Sequence, residues 1–248
     1  MIKNCNLWNT WALACYAVDK YGVLVPSGPN YTSNPDYVPT NIKEVTMTIE
    51  HGPASINQML NKQLPPLYPQ KQGVDSYINQ MTAGTDEFEH GRTFHYTYGL
   101  RLREMPCGCE YIDQLDFIAE HLDAFNKRLQ AITWIPNVDL ESTIVDEMVK
   151  SVPCLQRIRI ENYYDKYYVL FVDWRSRDLY KAHPYNLVGL INAIDKLIQE
   201  KRAEQGKSKL ELFKIVEFID SLHVYKPELD MLNKVPVDAK TIMNCLYI

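Results

Sequence analysis

The pattern of apolar and polar positions is clearest in the second half of the chain. Residues 155–161, "LQRIRIE", alternate, with Ile158 and Ile160 on one face and Arg157 and Arg159 on the other. A period of two predicts a strand with one covered face. Residues 167–175, "YYVLFVDWR", form a nearly continuous apolar run and predict a central strand. The short "NYYDK" between them predicts a hairpin. Residues 185–202 carry Leu187, Leu190, Ile191, Ile194, Leu197 and Ile198 at the spacing of an amphipathic helix. "LELFKIVEFI" (210–219) predicts a further strand. Upstream, Ile112, Leu115, Ile118, Leu122 and Phe125 predict a helix over 112–128, with Lys127 and Arg128 in or just beyond its last turn. "LQAITWI" (129–135) and "KEVTMTIEH" (43–51) read as strands, and residues 21–40 and 60–73 as loops rich in turn formers. Elsewhere in residues 1–80 the pattern is weak. Together these elements predict one α/β (α+β) domain over residues 1–248, built on a large mixed or mostly antiparallel sheet flanked by helices.

Composition narrows the function. The chain has 248 residues, 46% of them apolar, and a formal net charge of −5. Such a charge gives no general affinity for nucleic acid or for a membrane surface, so an anionic ligand needs a local basic pocket. "LWNTWALACYAV" is too short and too interrupted to span a bilayer, and no signal peptide is visible. The six cysteines offer no zinc spacing, since Cys107 and Cys109 form a lone C-x-C. No metal is expected, and free thiols in a reducing cytoplasm are the default.

Three stretches could carry chemistry: residues 174–186, the approach to Cys154, and the run from His223 to Tyr225. Arg175-Ser176-Arg177-Asp178 closes a strand with two guanidiniums, a hydroxyl and a carboxylate, which can grip a phosphate or form a charged surface turn. Asn186, after Pro184 and Tyr185, can cap a helix or present a donor and an acceptor to a flat ligand edge. Cys154, after Pro153 and at the mouth of a strand, is either a buried thiol or a nucleophile activated by a nearby arginine. His223 and Tyr225, two apart on a strand, share a face and can bind a sugar hydroxyl or sit at a sheet edge.

In order and spacing, these pieces resemble the thymidylate synthase family, most closely its short archaeal type. Pro153-Cys154, Arg175-Ser176-Arg177-Asp178, Pro184-Tyr185-Asn186 and His223-Val224-Tyr225 carry the resemblance. "YTYGLRLRE", "IDQL" and "KRLQAITWIPNVDL" add to it, so that it runs from about residue 94 to residue 230. The resemblance implies transfer of a one-carbon unit from 5,10-methylenetetrahydrofolate, a co-substrate, to C5 of dUMP, giving dTMP and dihydrofolate. It implies Cys154 as the nucleophile, with Arg175 holding it as thiolate. Arg175 and Ser176 would bind the 5′-phosphate, completed by Lys127 and Arg128 from the other subunit of a homodimer whose sheets pack back to back. Asn186 would read the uracil edge, His223 and Tyr225 the 3′-hydroxyl, and Asp178 the folate. The C-terminal "NCLYI" would close over the folate. Arg177 is left as a solvated charge or a dimer contact.

The chain departs from the family pattern at Leu155 (commonly His), at Lys181-Ala182-His183 (commonly Leu-Gly-Leu) and at Lys127 (commonly Arg). The helix that carries the family's water-ordering Glu is absent, and Glu50 in "MTIEHGP" is the candidate for that role. These departures bear mainly on the folate half. The nearest alternative is a dUMP, or related pyrimidine nucleotide, hydroxymethylase that releases tetrahydrofolate. A non-catalytic nucleotide-binding relative would not need Cys154, and a thiol-redox protein would use Cys107 and Cys109.

Overall fold

A computed structural model describes residues 1–26, 41–69, 73–84, 87–88, 92–93, 96–123, 126–142 and 152–247. In chain order its strands are β1 (Val23–Pro26), β2 (Asn41–His51), β3 (Glu87–Phe88), β4 (Arg92–Thr93), β5 (Met105–Cys107), β6 (Glu110–Ile112), β7 (Gln130–Ile132), β8 (Leu155–Tyr163), β9 (Tyr167–Trp174), β10 (Arg177–Asp178) and β11 (Glu211–Tyr225). Its helices are α1 (Leu7–Tyr21), α2 (Pro53–Leu60), α3 (Val74–Ala83), α4 (Tyr98–Arg103), α5 (Gln114–Glu120), α6 (Pro136–Ser142), α7 (His183–Glu204), α8 (Leu229–Leu232) and α9 (Ala239–Cys245). The main sheet runs β1-β2-β11-β9-β8-β7, with β10 beside β11. It is mixed as expected: β11 is parallel to β9 and to β10, and the other pairings are antiparallel.

The strand pattern dictates two unlike faces. Ile158, Ile160, Tyr168, Leu170, Val172, Ile215, Ile219 and Ile49 point to the helices and are at most 1% exposed. Full burial of each such aliphatic side chain contributes about 1.5–3 kcal/mol. The alternate residues, among them Phe171, Val216 and Phe218, face the other way. The β8–β9 hairpin turns through Tyr164 and Asp165, both at positive φ (59° and 53°), the geometry that matches strand twist.

The α7 helix anchors the covered face. Pro184 sits in its first turn and Lys201 and Arg202 in its last, in keeping with proline's fixed φ and the helix dipole. Gly189 lets α3 approach, since a Cβ there would lie 2.1 Å from Cδ1 of Tyr77. Among the described residues no helix is long and apolar enough to cross a membrane.

Several expectations are corrected. The helix expected over 112–128 is only α5, and Ile112 belongs to the exposed β6 instead. Asp113 caps α5 by accepting from Asp116 N at 2.9 Å, and the chain turns off at His121, where Asp123 N donates to His121 O at 2.8 Å. Lys127 and Arg128 therefore lie well beyond the helix, and Phe125 falls outside the described residues. The strand expected over 129–135 is cut to β7, whereas that expected over 210–219 runs on to Tyr225. Asn186 is not an N-cap, because α7 begins at His183 with Ala182 in the cap position. The weakly patterned N-terminus contains α1, capped by Asn6 Oδ1 accepting from Asn9 N at 2.8 Å. The tail beyond α9 docks on the start of the chain: Tyr247 N donates to Met1 O at 2.8 Å, and Ile2 bridges Leu246. Ile248 lies outside the described residues.

Candidate active site

The chain enters β8 through Val152-Pro153-Cys154, and antiparallel β9 ends opposite that entry. Arg175 follows directly, and its N donates to Cys154 O at 3.0 Å. Its guanidinium is fixed by backbone carbonyls, with Nε 2.9 Å from Pro153 O and Nη2 2.9 Å from Val152 O. The same Nη2 lies 3.8 Å from Cys154 Sγ. Among the described residues no carboxylate pairs with Arg175, so its charge is available to a thiolate or an anionic ligand. Tyr96 Oη donates to Val152 O at 3.1 Å, bracing the same segment. Tyr98 packs edge-on to Trp174 at 5.9 Å, and burial, then the nearby Cys154, push its phenol up.

Parallel pairing of β10 with β11 sets Asp178 beside His223. Ser176 Oγ lies 3.4 Å from His223 Nδ1, and the His223 ring meets Tyr225 edge-on at 5.3 Å. Burial lowers the His223 imidazole, and Asp178 opposes that shift. Burial raises the Asp178 carboxyl, against the N–H groups of Lys181 and Tyr180, which donate to its Oδ1 at 2.9 and 3.0 Å. Asp178 thereby shapes the turn into α7, and its O accepts from Ala182 N at 3.1 Å. Asn186 follows in the first turn of α7, half-buried, its side-chain amide without a hydrogen-bond partner among the described residues.

One end of the sheet thus gathers Cys154, Arg175, Ser176, Asp178, Asn186, His223 and Tyr225. Three expected residues lie elsewhere. Glu50 pairs in register with Val216 on the open face and reaches Lys214 Nζ at 3.5 Å. His223 is paired with Glu44, so Glu50 stands six residues along β2 from the site end, about 20 Å at strand rise. The carboxylate that β2 does bring here is Glu44, which accepts from Ser221 Oγ. Lys127 and Arg128 are exposed before β7. Ile160 N donates to Leu129 O, which places them near the end of β8 remote from Cys154. Within one chain they do not reach the site.

Behind the site lies a cluster that periodicity alone did not reveal. Glu217 is fully buried on the covered face of β11, and its Oε1 is 2.9 Å from Nε2 of both His51 and His183. An ionised carboxylate only accepts, so both imidazoles donate from Nε2. His51 Nδ1 is then left to accept from Ser55 Oγ at 2.9 Å. Arg177, expected in solvent or at a dimer contact, is 2% exposed instead. Its Nη2 donates to His183 O at 2.8 Å and lies 3.4 Å from Glu217 Oε2, and its plane covers Trp174 at 3.5 Å. Burial alone would raise the Glu217 carboxyl, but the imidazole hydrogen bonds and the Arg177 charge hold it well below its usual range. Burial lowers His183. A signal did exist: Glu217 lies two residues from Ile215 and Ile219, in phase with the covered face.

No family model matches the chain. Among curated proteins it is 31% identical over 166 residues to the "Putative thymidylate synthase" of Methanocaldococcus jannaschii, covering 66% of this chain and 71% of that protein. Proteins of the same name from Methanosarcina acetivorans and Methanopyrus kandleri are 31% and 30% identical, covering 65% and 76% of this chain and 65% and 79% of theirs. The chain thus spans about two thirds or more of the length of these relatives. Among solved structures, thermostable thymidylate synthase A from Bacillus subtilis superposes with a TM-score of 0.62 at 18% identity, over 93% of this chain and 84% of that one. That likeness shows the same fold.

Proposed function

The chain belongs to the thymidylate synthase family, and on that premise we propose that it methylates dUMP to dTMP with 5,10-methylenetetrahydrofolate, which leaves as dihydrofolate. The observation that carries this reading is Arg175, pinned by two carbonyls with its charge 3.8 Å from Cys154 Sγ. The Cys154 thiolate adds to C6 of the pyrimidine, and C5 becomes the carbon nucleophile that takes the methylene group. Loss of the C5 proton to a base and cleavage of the folate C–N bond leave an exocyclic methylene, hydride from the tetrahydrofolate reduces it, and expulsion of Cys154 as thiolate restores the C5–C6 double bond.

The remaining residues are assigned by position and chemistry. Arg175 and Ser176 hold the 5′-phosphate, with Lys127 and Arg128 of the partner subunit completing that site in a homodimer. Because the Asn186 amide is uncommitted, it can donate to O4 and accept from N3–H, which selects uracil over cytosine. His223 and Tyr225 face the 3′-hydroxyl, and Asp178 faces the folate.

The test is the identity of the nucleotide product from dUMP and methylenetetrahydrofolate. Formation of dTMP with dihydrofolate is expected, and Cys154→Ala should cut turnover by at least about a thousandfold while the protein stays folded. A product one oxygen heavier than dTMP, with tetrahydrofolate released, would replace methylation by hydroxymethylation. No turnover by the folded dimer would overturn the proposal.

A further inference from the structure

We infer that Arg177, His183, Glu217 and His51 are positioning residues for base recognition, fixing the first turn of α7, and with it Asn186, against the strand ends that carry Cys154 and Arg175. The inference rests on Asn186 being the base-reading amide. Helix starts are usually fixed by a capping side chain, and α7 has none, since Ala182 occupies its cap. His183 is instead held twice. Its carbonyl accepts from Arg177 of β10 at 2.8 Å, and its ring donates to Glu217 of β11 at 2.9 Å. Glu217 is anchored from behind by His51 of β2, and His51 by Ser55 of α2. A continuous chain of contacts thus ties the helix start to the middle of the sheet. Asn186 follows three residues later, within the same turn.

The composition of this cluster argues for a positional role. All four side chains are at most 2% exposed. Buried ionic groups are rarely the most stable filling for a core, because desolvation offsets their attraction. The network is only partly satisfied, since Nδ1 of His183 has no hydrogen-bond partner among the described residues, but the bonds it does make are directional. Nε and Nη1 of Arg177 have no hydrogen-bond partner among the described residues, so Trp174 and the two bonds of Nη2 set its plane. Base selection by a single amide depends on such geometry: a displaced Asn186 still touches a pyrimidine but no longer tells uracil from cytosine.

The experiment compares the affinities of the purified full chain for dUMP and dCMP by calorimetric titration. His183→Leu removes the tie to Glu217, whereas His183→Gln keeps an N–H donor. The preference for dUMP should fall about tenfold in the leucine variant, the cost of one charge-assisted hydrogen bond, and stay within about twofold of the parent in the glutamine variant. A merely structural role would reduce the folded fraction and leave the dUMP-to-dCMP ratio unchanged. An unchanged ratio in folded His183→Leu overturns the inference and leaves the proposed reaction standing. A parent protein that binds neither nucleotide overturns both. If His183→Leu does not fold, Arg177→Met, which frees the His183 carbonyl, takes its place with the same expected ratio and the same refuting result.

Discussion

The two faces of the main sheet handle charge in opposite ways. On the covered face Glu217 is fully buried and accepts from two imidazoles and a guanidinium. On the open face, one register step away, Glu50 keeps 30% of its side-chain surface and, among the described residues, meets a single charged partner, Lys214, at 3.5 Å. Around Glu50 the open face is apolar, with Phe213 and Phe218 44% and 43% exposed beside a cavity of about 640 Å³. Where helices exclude water, neighbouring side chains must neutralise a carboxylate. Where water remains, one lysine suffices, and the apolar surface around it is free to take a partner.

The sharpest way to break this contrast is to place a charge on the open face. Val216 pairs with Phe171 near its centre. If this face joins the subunits of a homodimer, Val216→Asp sets two uncompensated carboxylates in the interface and should raise the dimer dissociation constant by at least about a thousandfold. Sedimentation equilibrium reads this directly, and turnover should fall with it as the partner's cations are lost. A variant that remains dimeric at the same concentration would locate the interface elsewhere.

On the covered face the larger effect is on stability. Glu217→Ala leaves Arg177 buried without its carboxylate and two imidazoles without their acceptor. Breaking a buried ion pair from one side costs about 3–5 kcal/mol, and urea denaturation should show a loss of that order. A loss under about 1 kcal/mol would mean that the cluster rearranges around the gap.

A smaller effect should appear with acid. Burial holds the His183 imidazole below its ordinary pKa of 6.5, with Arg177 and His51 acting in the same direction and Glu217 opposing. The unfolded chain therefore takes up the proton first. Stability is full above about pH 6.5 and falls as the pH drops below it, by at most about 1.4 kcal/mol per unit for one group. His223 is lowered too and adds a slope of the same sign. The comparison is thus between the parent and His183→Gln, which should lose stability less steeply between pH 7 and 5.5. Equal slopes would remove His183 from the acid response.

These contrasts also show what the sequence made legible. Period two exposed β8 and β9, and period 3.6 exposed α7, because each has one apolar face. In α1, Thr10 to Cys15 are buried in one unbroken run, and a continuous buried run shows no helical spacing by itself. The 112–128 helix was overextended because Leu122 stays buried after the chain has turned at His121, and apolar spacing does not register a turn. Cys154, Arg175, Asn186 and His223 were each ambiguous alone and became informative as an ordered set. Arg177 is not legible as a buried residue because its carboxylate partner comes from β11, adjacent in the sheet but 40 residues away in sequence. Glu50 and Glu217 share one residue type in neighbouring strands, and only three-dimensional pairing separates a half-exposed acid from a buried one.

Glu50→Gln should have the smallest effect. A half-exposed ion pair contributes about 0–1 kcal/mol, and the amide preserves shape, so stability should stay within about 0.5 kcal/mol of the parent. The informative readout is turnover. Glu50 occupies the open face about 20 Å of strand from the position opposite His223. Cys154 enters the sheet on β8, three strands from β2, so Glu50 is not placed to order water at a pyrimidine bound there, and the variant should turn over within about twofold of the parent. A carboxylate acting on the reacting base would instead cost about a hundredfold or more. A loss of that size with stability intact would make the open face part of the catalytic site.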